Sequence, residues 1–135
     1  MITLEIVTPS RLVFSEPVDE VVLPGSEGYL GVLPGHAPLL TSLGVGELVC
    51  RRGNRRTYMA VSGGFAEVLN DRVSVIAGTC ERADEIDVER AREKKREAEE
   101  ELKQREASDY AWREAEARLR KAVTRIDVAG RAGQQ

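Results

Sequence analysis

Apolar and polar residues alternate from the second position of the chain, with Ile2, Leu4 and Ile6 on one face of an extended segment and Thr3 and Glu5 on the other. This period of two predicts a half-buried β-strand. Comparable runs recur at 18–23, 29–33, 47–51, 57–61, 65–69 and 73–77, and no helical period interrupts them. Gly53-Asn54 and Asn70-Asp71 separate neighbouring runs, and both dipeptides accept the positive φ that closes a two-residue hairpin. Seven or more short strands so punctuated predict a β-sandwich or flattened barrel over residues 1–84.

The period changes after Ile86. Asp87 is placed to cap a helix whose first turn carries Glu89, and Val88, Ala91, Lys95, Ala98, Leu102 and Arg105 follow three and four apart. After a break at 107–109, where Ser108 or Asp109 can cap, Trp112, Ala115, Leu119, Ala122, Ile126 and Ala129 repeat the spacing. So short a break predicts an antiparallel two-helix hairpin over residues 85–135, and an α+β chain in all. The seam is expected to rest mainly on Val88, Leu102, Trp112, Leu119 and Ile126, because the alanines between them bury little area. Its stability after ordering entropy is then modest, and such a hairpin can open. The alternative is a hairpin that simply rests on the β domain.

Composition sharpens this division. All five prolines precede residue 84, and the only glycines after it are Gly130 and Gly133. A chain of 135 residues holds one ordinary domain, or a small domain with an appendage. The net charge of −3 offers no broad positive field, so nucleic acid is not an expected partner. No charged-then-apolar leader opens the chain, and the charge-free stretch 28–46 contains Pro34, Pro38 and five glycines, unsuited to a membrane helix. Membrane association is expected only through a partner. Cys50 and Cys80 lack CxxC spacing and read as buried thiols of a reducing compartment.

Candidate chemistry is sparse. His36 is the sole histidine and has no carboxylate or cysteine at metal-ligand spacing, Ser62-Gly63-Gly64 lacks the nucleophile-elbow frame, and no phosphate-cradling G-x-x-x-x-G-K-[ST] occurs. No catalytic residue, metal site or required cofactor is therefore expected. Residues 25–40 differ in kind: glycines and prolines force repeated bends, so some of the apolar side chains between them face either a partner or the end of the sandwich. Arg118, Arg120, Lys121 and Arg125 form a basic run that is either a solvated helix face or a contact for an acidic partner.

The run GSEGYLGVLPGHAPLLT at 25–41, SGGFAEV at 62–68 and IDVERA at 86–91 resemble the epsilon subunit of the bacterial rotary ATP synthase, in order over essentially the whole chain. The resemblance implies a sandwich of about ten strands and a non-catalytic place on the central stalk of a proton-translocating ATP synthase. It implies the gamma subunit and the c-subunit ring as partners, with Glu27, Gly28, Tyr29, Leu30 and Gly31 toward the ring and His36 near gamma. It further implies a hairpin that rises into the alpha and beta subunits and inhibits ATP hydrolysis, Arg118, Arg120, Lys121 and Arg125 forming the inhibitory patch. ATP is implied as a regulatory ligand through Ile86, Asp87, Arg90, Ala91, Lys121 and Arg125. Glu97 stands where an arginine belongs in that pattern, and a carboxylate there opposes phosphate; Asp87 as a helix cap and Arg90 as a surface charge is the other reading. The location implied is the cytoplasmic face of the bacterial plasma membrane, held peripherally. A free-standing adaptor and a separate ATP sensor are the competing classes.

Overall fold

The computed structural model describes residues 1–133; the last two residues of the expected 85–135 hairpin segment lie outside the described residues. Eight strands precede two helices: β1 (Ile2–Val7), β2 (Leu12–Val18), β3 (Glu20–Gly25), β4 (Gly28–Val32), β5 (Leu39–Ser42), β6 (Val45–Arg52), β7 (Arg55–Leu69), β8 (Arg72–Arg82), then α1 (Val88–Lys103) and α2 (Tyr110–Ala129). The order β2-β1-β8-β7-β6-β3-β4, with β5 also on β7, wraps around one apolar core that includes Leu4, Leu23, Leu48, Met59 and Val75. The two predicted hairpin dipeptides behave as their chemistry demands, with Gly53 at φ 61° and Asn70 and Asp71 at 50° and 59°.

The strand count is eight rather than about ten, partly because the runs at 57–61 and 65–69 belong to one strand. β7 continues through Gly63 and Gly64, at φ 69° and 104°, while its pairing with β8 keeps one register. What changes there is facing: Met59 and Val61 point inward before the glycines, Ala66 and Val68 after them. β8 switches likewise, from Val73, Val75 and Ala77 to Cys80 across Gly78. Only glycine fits this corner, since a Cβ on Gly64 would stand 2.0 Å from the Ile76 carbonyl oxygen, and one on Gly78 2.7 Å from that of Ser62.

The helical hairpin forms as predicted, with Asp87 and Asp109 as caps that accept from the backbone N–H groups of Arg90 and Ala111. Its seam does not match the expectation. The side chains wholly buried between the helices are Ala91, Ala98, Ala115 and Ala122, whereas Val88, Leu102, Trp112, Leu119 and Ile126 are only half-buried at its margins. Small residues let the two backbones approach closely, which pushes the larger side chains to the flanks. Each buried methyl contributes roughly 0.8 kcal/mol, so the seam is thin. Beyond it, Val128 of α2 packs with Ala60, Ala83 and Ile86 to join hairpin to sandwich.

Gly64→Ala is expected to cost roughly 2 to 4 kcal/mol, from backbone clash and forced positive φ. Gly31→Ala, with nothing within 4 Å of the new Cβ, is expected to stay within about 0.5 kcal/mol. Urea unfolding of the two variants measures the difference.

Candidate functional site

Two regions collect the residues singled out above. In the first, the turn at Ser26-Glu27 joins β3 to β4, and the chain then runs through a second turn to β5. Glu27, Gly28, Tyr29 and Gly31 are exposed, while Leu30 and Leu39 pack on the core and Val32 is buried, so the segment both covers the sandwich end and presents apolar groups outward. The Tyr29 ring lies over Gly46, where any Cβ would meet its hydroxyl at 2.6 Å, and that hydroxyl accepts from the Glu47 N–H at 3.1 Å. His36 is half-buried in the turn, its Nδ1 2.7 Å from the Ala37 carbonyl oxygen, and the preceding Gly35 N–H donates to Asp71 at 2.7 Å.

A separate row of apolar side chains crosses the outer sheet face. Phe65 pairs with Ile76, Ile76 with Val7 and Val7 with Leu12 on successive strands. Phe65, Ile76 and Leu12 are 59%, 61% and 57% exposed. Four strands thus present one contiguous apolar stripe, which a protein surface rarely leaves open without a partner.

The second region is the hairpin and its base. A cleft of about 460 Å³ between the helices is lined by Lys94, Glu97, Glu101, Arg118, Lys121 and Arg125, together with Ala98 and Ala122. It brings Arg118, Lys121 and Arg125 together but leaves Arg120 outside, 3.9 Å from Glu116 on the same helix. Nor does it take in Ile86, Asp87, Arg90 or Ala91: Ile86 is buried under the hairpin base, Ala91 lies in the seam, and the Asp87 carboxylate accepts from the Arg90 N–H at 3.1 Å. Glu97 and Glu101 oppose the cations of the cleft, and Glu101 pairs directly with Arg118.

Ion pairs tie the hairpin to the sandwich. Arg125 Nε donates to Glu81 Oε1 at 2.7 Å and its Nη2 to Oε2 at 3.2 Å, a bidentate pair that is largely sheltered from water. Arg131 donates to Glu47 at 2.6 Å and stacks over Tyr58, 5.7 Å from the ring centroid. These partners stand 44 and 84 residues apart in sequence, and single carboxylates facing outward from strands carry no local signal of what they will meet. The linker is pinned too: both terminal nitrogens of Arg11 lie 3.1 Å from the Glu85 carboxylate. Their hydrogen bond, with the Arg82 backbone N–H assisting, holds the Glu85 carboxyl below its ordinary pKa.

The thiols of Cys50 and Cys80 are free and buried, and burial pushes their pKa values up to about 11 and about 12. Both are protonated and inert at neutral pH. Among the described residues no group of three metal-ligating side chains assembles, and no helix is long and apolar enough to cross a membrane.

Two family descriptions match the chain in order: "ATP synthase, Delta/Epsilon chain, beta-sandwich domain" over residues 1–83 and "ATP synthase, Delta/Epsilon chain, long alpha-helix domain" over residues 84–130. The chain is 52% identical to the ATP synthase epsilon chain of Desulforamulus reducens over 126 residues, 93% of this chain and 95% of that one. It is 46% identical to that of Geotalea daltonii over 132 residues, 98% of this chain and 96% of that one. Among solved structures it is similar to a chain of the Euglena gracilis mitochondrial ATP synthase in an OSCP/F1/c-ring assembly, at 26% identity and a TM-score of 0.79, covering 95% of this chain and 80% of that one.

Glu85 loses its stabilising contribution as pH falls: the contribution is full above the ordinary carboxylate pKa and disappears as the pH drops through the lowered value in the fold. Arg11→Gln is expected to move the Glu85 titration midpoint upward, read from its side-chain carboxyl carbon by NMR; an unmoved midpoint would refute the pairing.

Proposed function

The chain belongs to the ATP synthase delta/epsilon chain family, its likeness to epsilon chains running almost end to end, and from that membership we propose a non-catalytic central-stalk subunit that couples the rotor and restrains ATP hydrolysis. In this reading the sandwich sits against the gamma subunit and the c-subunit ring, peripheral to the cytoplasmic face of the plasma membrane. The exposed Leu12–Val7–Ile76–Phe65 stripe and the outward Tyr29 turn support such a seat, with His36 on the gamma side. The hairpin leaves the sandwich to reach the alpha and beta subunits.

The observation that carries the regulatory part is how the hairpin is held. Its seam is alanine, its apolar contact with the sandwich centres on Val128, and the rest of the attachment is ionic. Ion pairs can be exchanged: at rest Arg125 is held by Glu81 of the sandwich, Arg118 by Glu101 of α1 and Arg120 by Glu116 within α2, and an acidic partner surface competes for the same cations. A two-state element needs packings within a few kcal/mol of each other, and a thin seam with replaceable ion pairs meets that condition.

Glu81→Gln removes the charge that holds Arg125 and leaves the arginine in place. It is expected to loosen the closed form by about 1 kcal/mol, roughly fivefold in population, and to deepen inhibition of hydrolysis by the reconstituted complex. Replacing Arg118, Arg120, Lys121 and Arg125 together with alanine is expected to raise hydrolysis. Rates unchanged in both variants would rule out an inhibitory hairpin.

MgATP is the proposed regulatory ligand of the closed hairpin, supported by the cations that line the interhelical cleft. Titration calorimetry on the isolated chain is expected to give a heat of binding that Lys121→Ala weakens. An absence of heat at millimolar MgATP leaves Asp87 and Arg90 with the capping role alone.

A further inference from the structure

The β6–β7 hairpin carries four arginines in six residues, Arg51-Arg52-Gly53-Asn54-Arg55-Arg56, and neither the hairpin switch nor the rotor stripe uses them. Their register sets like against like: Arg51 pairs across the ladder with Arg56, and Arg52 with Arg55. Like charges directly opposite on a sheet destabilise it, so the arrangement weakens its own turn. Only Arg51 is relieved, lying 3.7 Å from Asp19 and 3.6 Å from Glu20. Arg52, Arg55 and Arg56 are exposed and pair with no carboxylate among the described residues.

The turn is also one wall of a cleft of about 190 Å³ in which Arg55, Arg56, Arg82 and Arg131 face a single acid, Asp84. Two of these cations are already fixed. Arg82 donates to the Val13 carbonyl at 2.9 Å and lies over Phe14, while Arg131 is shared with Glu47 and Tyr58. Preoriented guanidinium groups beside free ones form a surface that accepts carboxylates in forked pairs. The free arginines extend from the cleft over the protruding tip, so the occupant must span a length rather than fill a point. The sole aromatic of the cleft, Tyr58, is covered by Arg131, which leaves no platform for a base. Asp19, Glu20 and Asp84 flank the patch and would repel an unbroken phosphate backbone.

We propose that Arg52, Arg55 and Arg56, with the cleft behind them, form a docking surface for an acidic segment of a neighbouring protein subunit. The surface stands at the end of β3 and β6 opposite the Ser26-Glu27 turn, because Glu20 pairs with Arg51 while Gly25 pairs with Gly28. Both ends of the sandwich can therefore be engaged at once. The energetic penalty of the like-charged ladder is recovered when carboxylates arrive.

The test uses the full chain, isotope-labelled, titrated by NMR with a poly-L-glutamate peptide at low salt. Saturable shifts are expected in the amides of residues 52–57. Arg55→Glu combined with Arg56→Glu is expected to weaken binding at least about tenfold without lowering the unfolding temperature. Arg120→Ala with Lys121→Ala is expected to leave affinity within about twofold, because those cations lie on the helical hairpin. Shifts confined to α2, or no saturable shift, would overturn the proposal. So would inorganic phosphate or a short DNA duplex moving the same amides at lower concentration than the peptide, since the surface would then serve a small oxyanion or a nucleic acid.

Discussion

Everything in the sandwich turns on the close approach of two backbones at Gly63-Gly64 and Gly78. There β7 and β8 stay hydrogen-bonded in one register while exchanging their inward and outward faces. The exchange lets the same pair of strands line the core on both sides of the corner. It also decides what is outside: Tyr58 and Ala60 before the corner meet the helical hairpin, and Phe65 and Ile76 after it face solvent. A side chain of any size at Gly64 would hold the strands apart and deny the core one of its walls.

The two halves of the chain are held by different forces. The sandwich buries a continuous cluster from Ile2 to Cys80, so its stability is hydrophobic and does not depend on unscreened charge. The hairpin is fastened by Arg125–Glu81 and Arg131–Glu47 over a small apolar base, so its attachment is electrostatic, local and screened by ions. In the proposed switch this difference gives rigidity to one part and exchange to the other. Because Arg125 sits on α2 and Arg131 in the turn that follows it, while both acids sit on strands, release of the hairpin in the proposed switch would leave two carboxylates on the sandwich and two cations for an acidic surface.

Much of this was legible in the residues, for identifiable reasons. Alternation at Ile2, Leu4 and Ile6 and the turn chemistry of Asn70-Asp71 are local properties, and the strand and hairpin they predict are present. The caps Asp87 and Asp109 are equally local. β2 and β5 escaped the pattern because Pro17 and exposed Leu12 blur one and Leu39-Leu40 the other. The seam differs from its spacing because spacing marks which residues face a neighbour but not how near that neighbour comes: the alanines are buried, and Trp112 and Leu119 stay half-buried. The pairs Arg125–Glu81 and Arg131–Glu47 lay beyond reach altogether, since topology alone brings those residues together. The basic run 118–125 was visible, yet that its arginines are matched by acids at rest was not.

β7 has a mechanical consequence. At fifteen residues it is the longest strand, bonded to β8 from Met59 to Leu69 and to β6 and then β5 on its other edge. A pull along its axis loads the ladder in shear, and bonds that lie across the direction of force share the load rather than parting one after another. One end of this strand touches the hairpin base and the other carries the open apolar stripe. A pull applied between the two is therefore borne along one continuous strand.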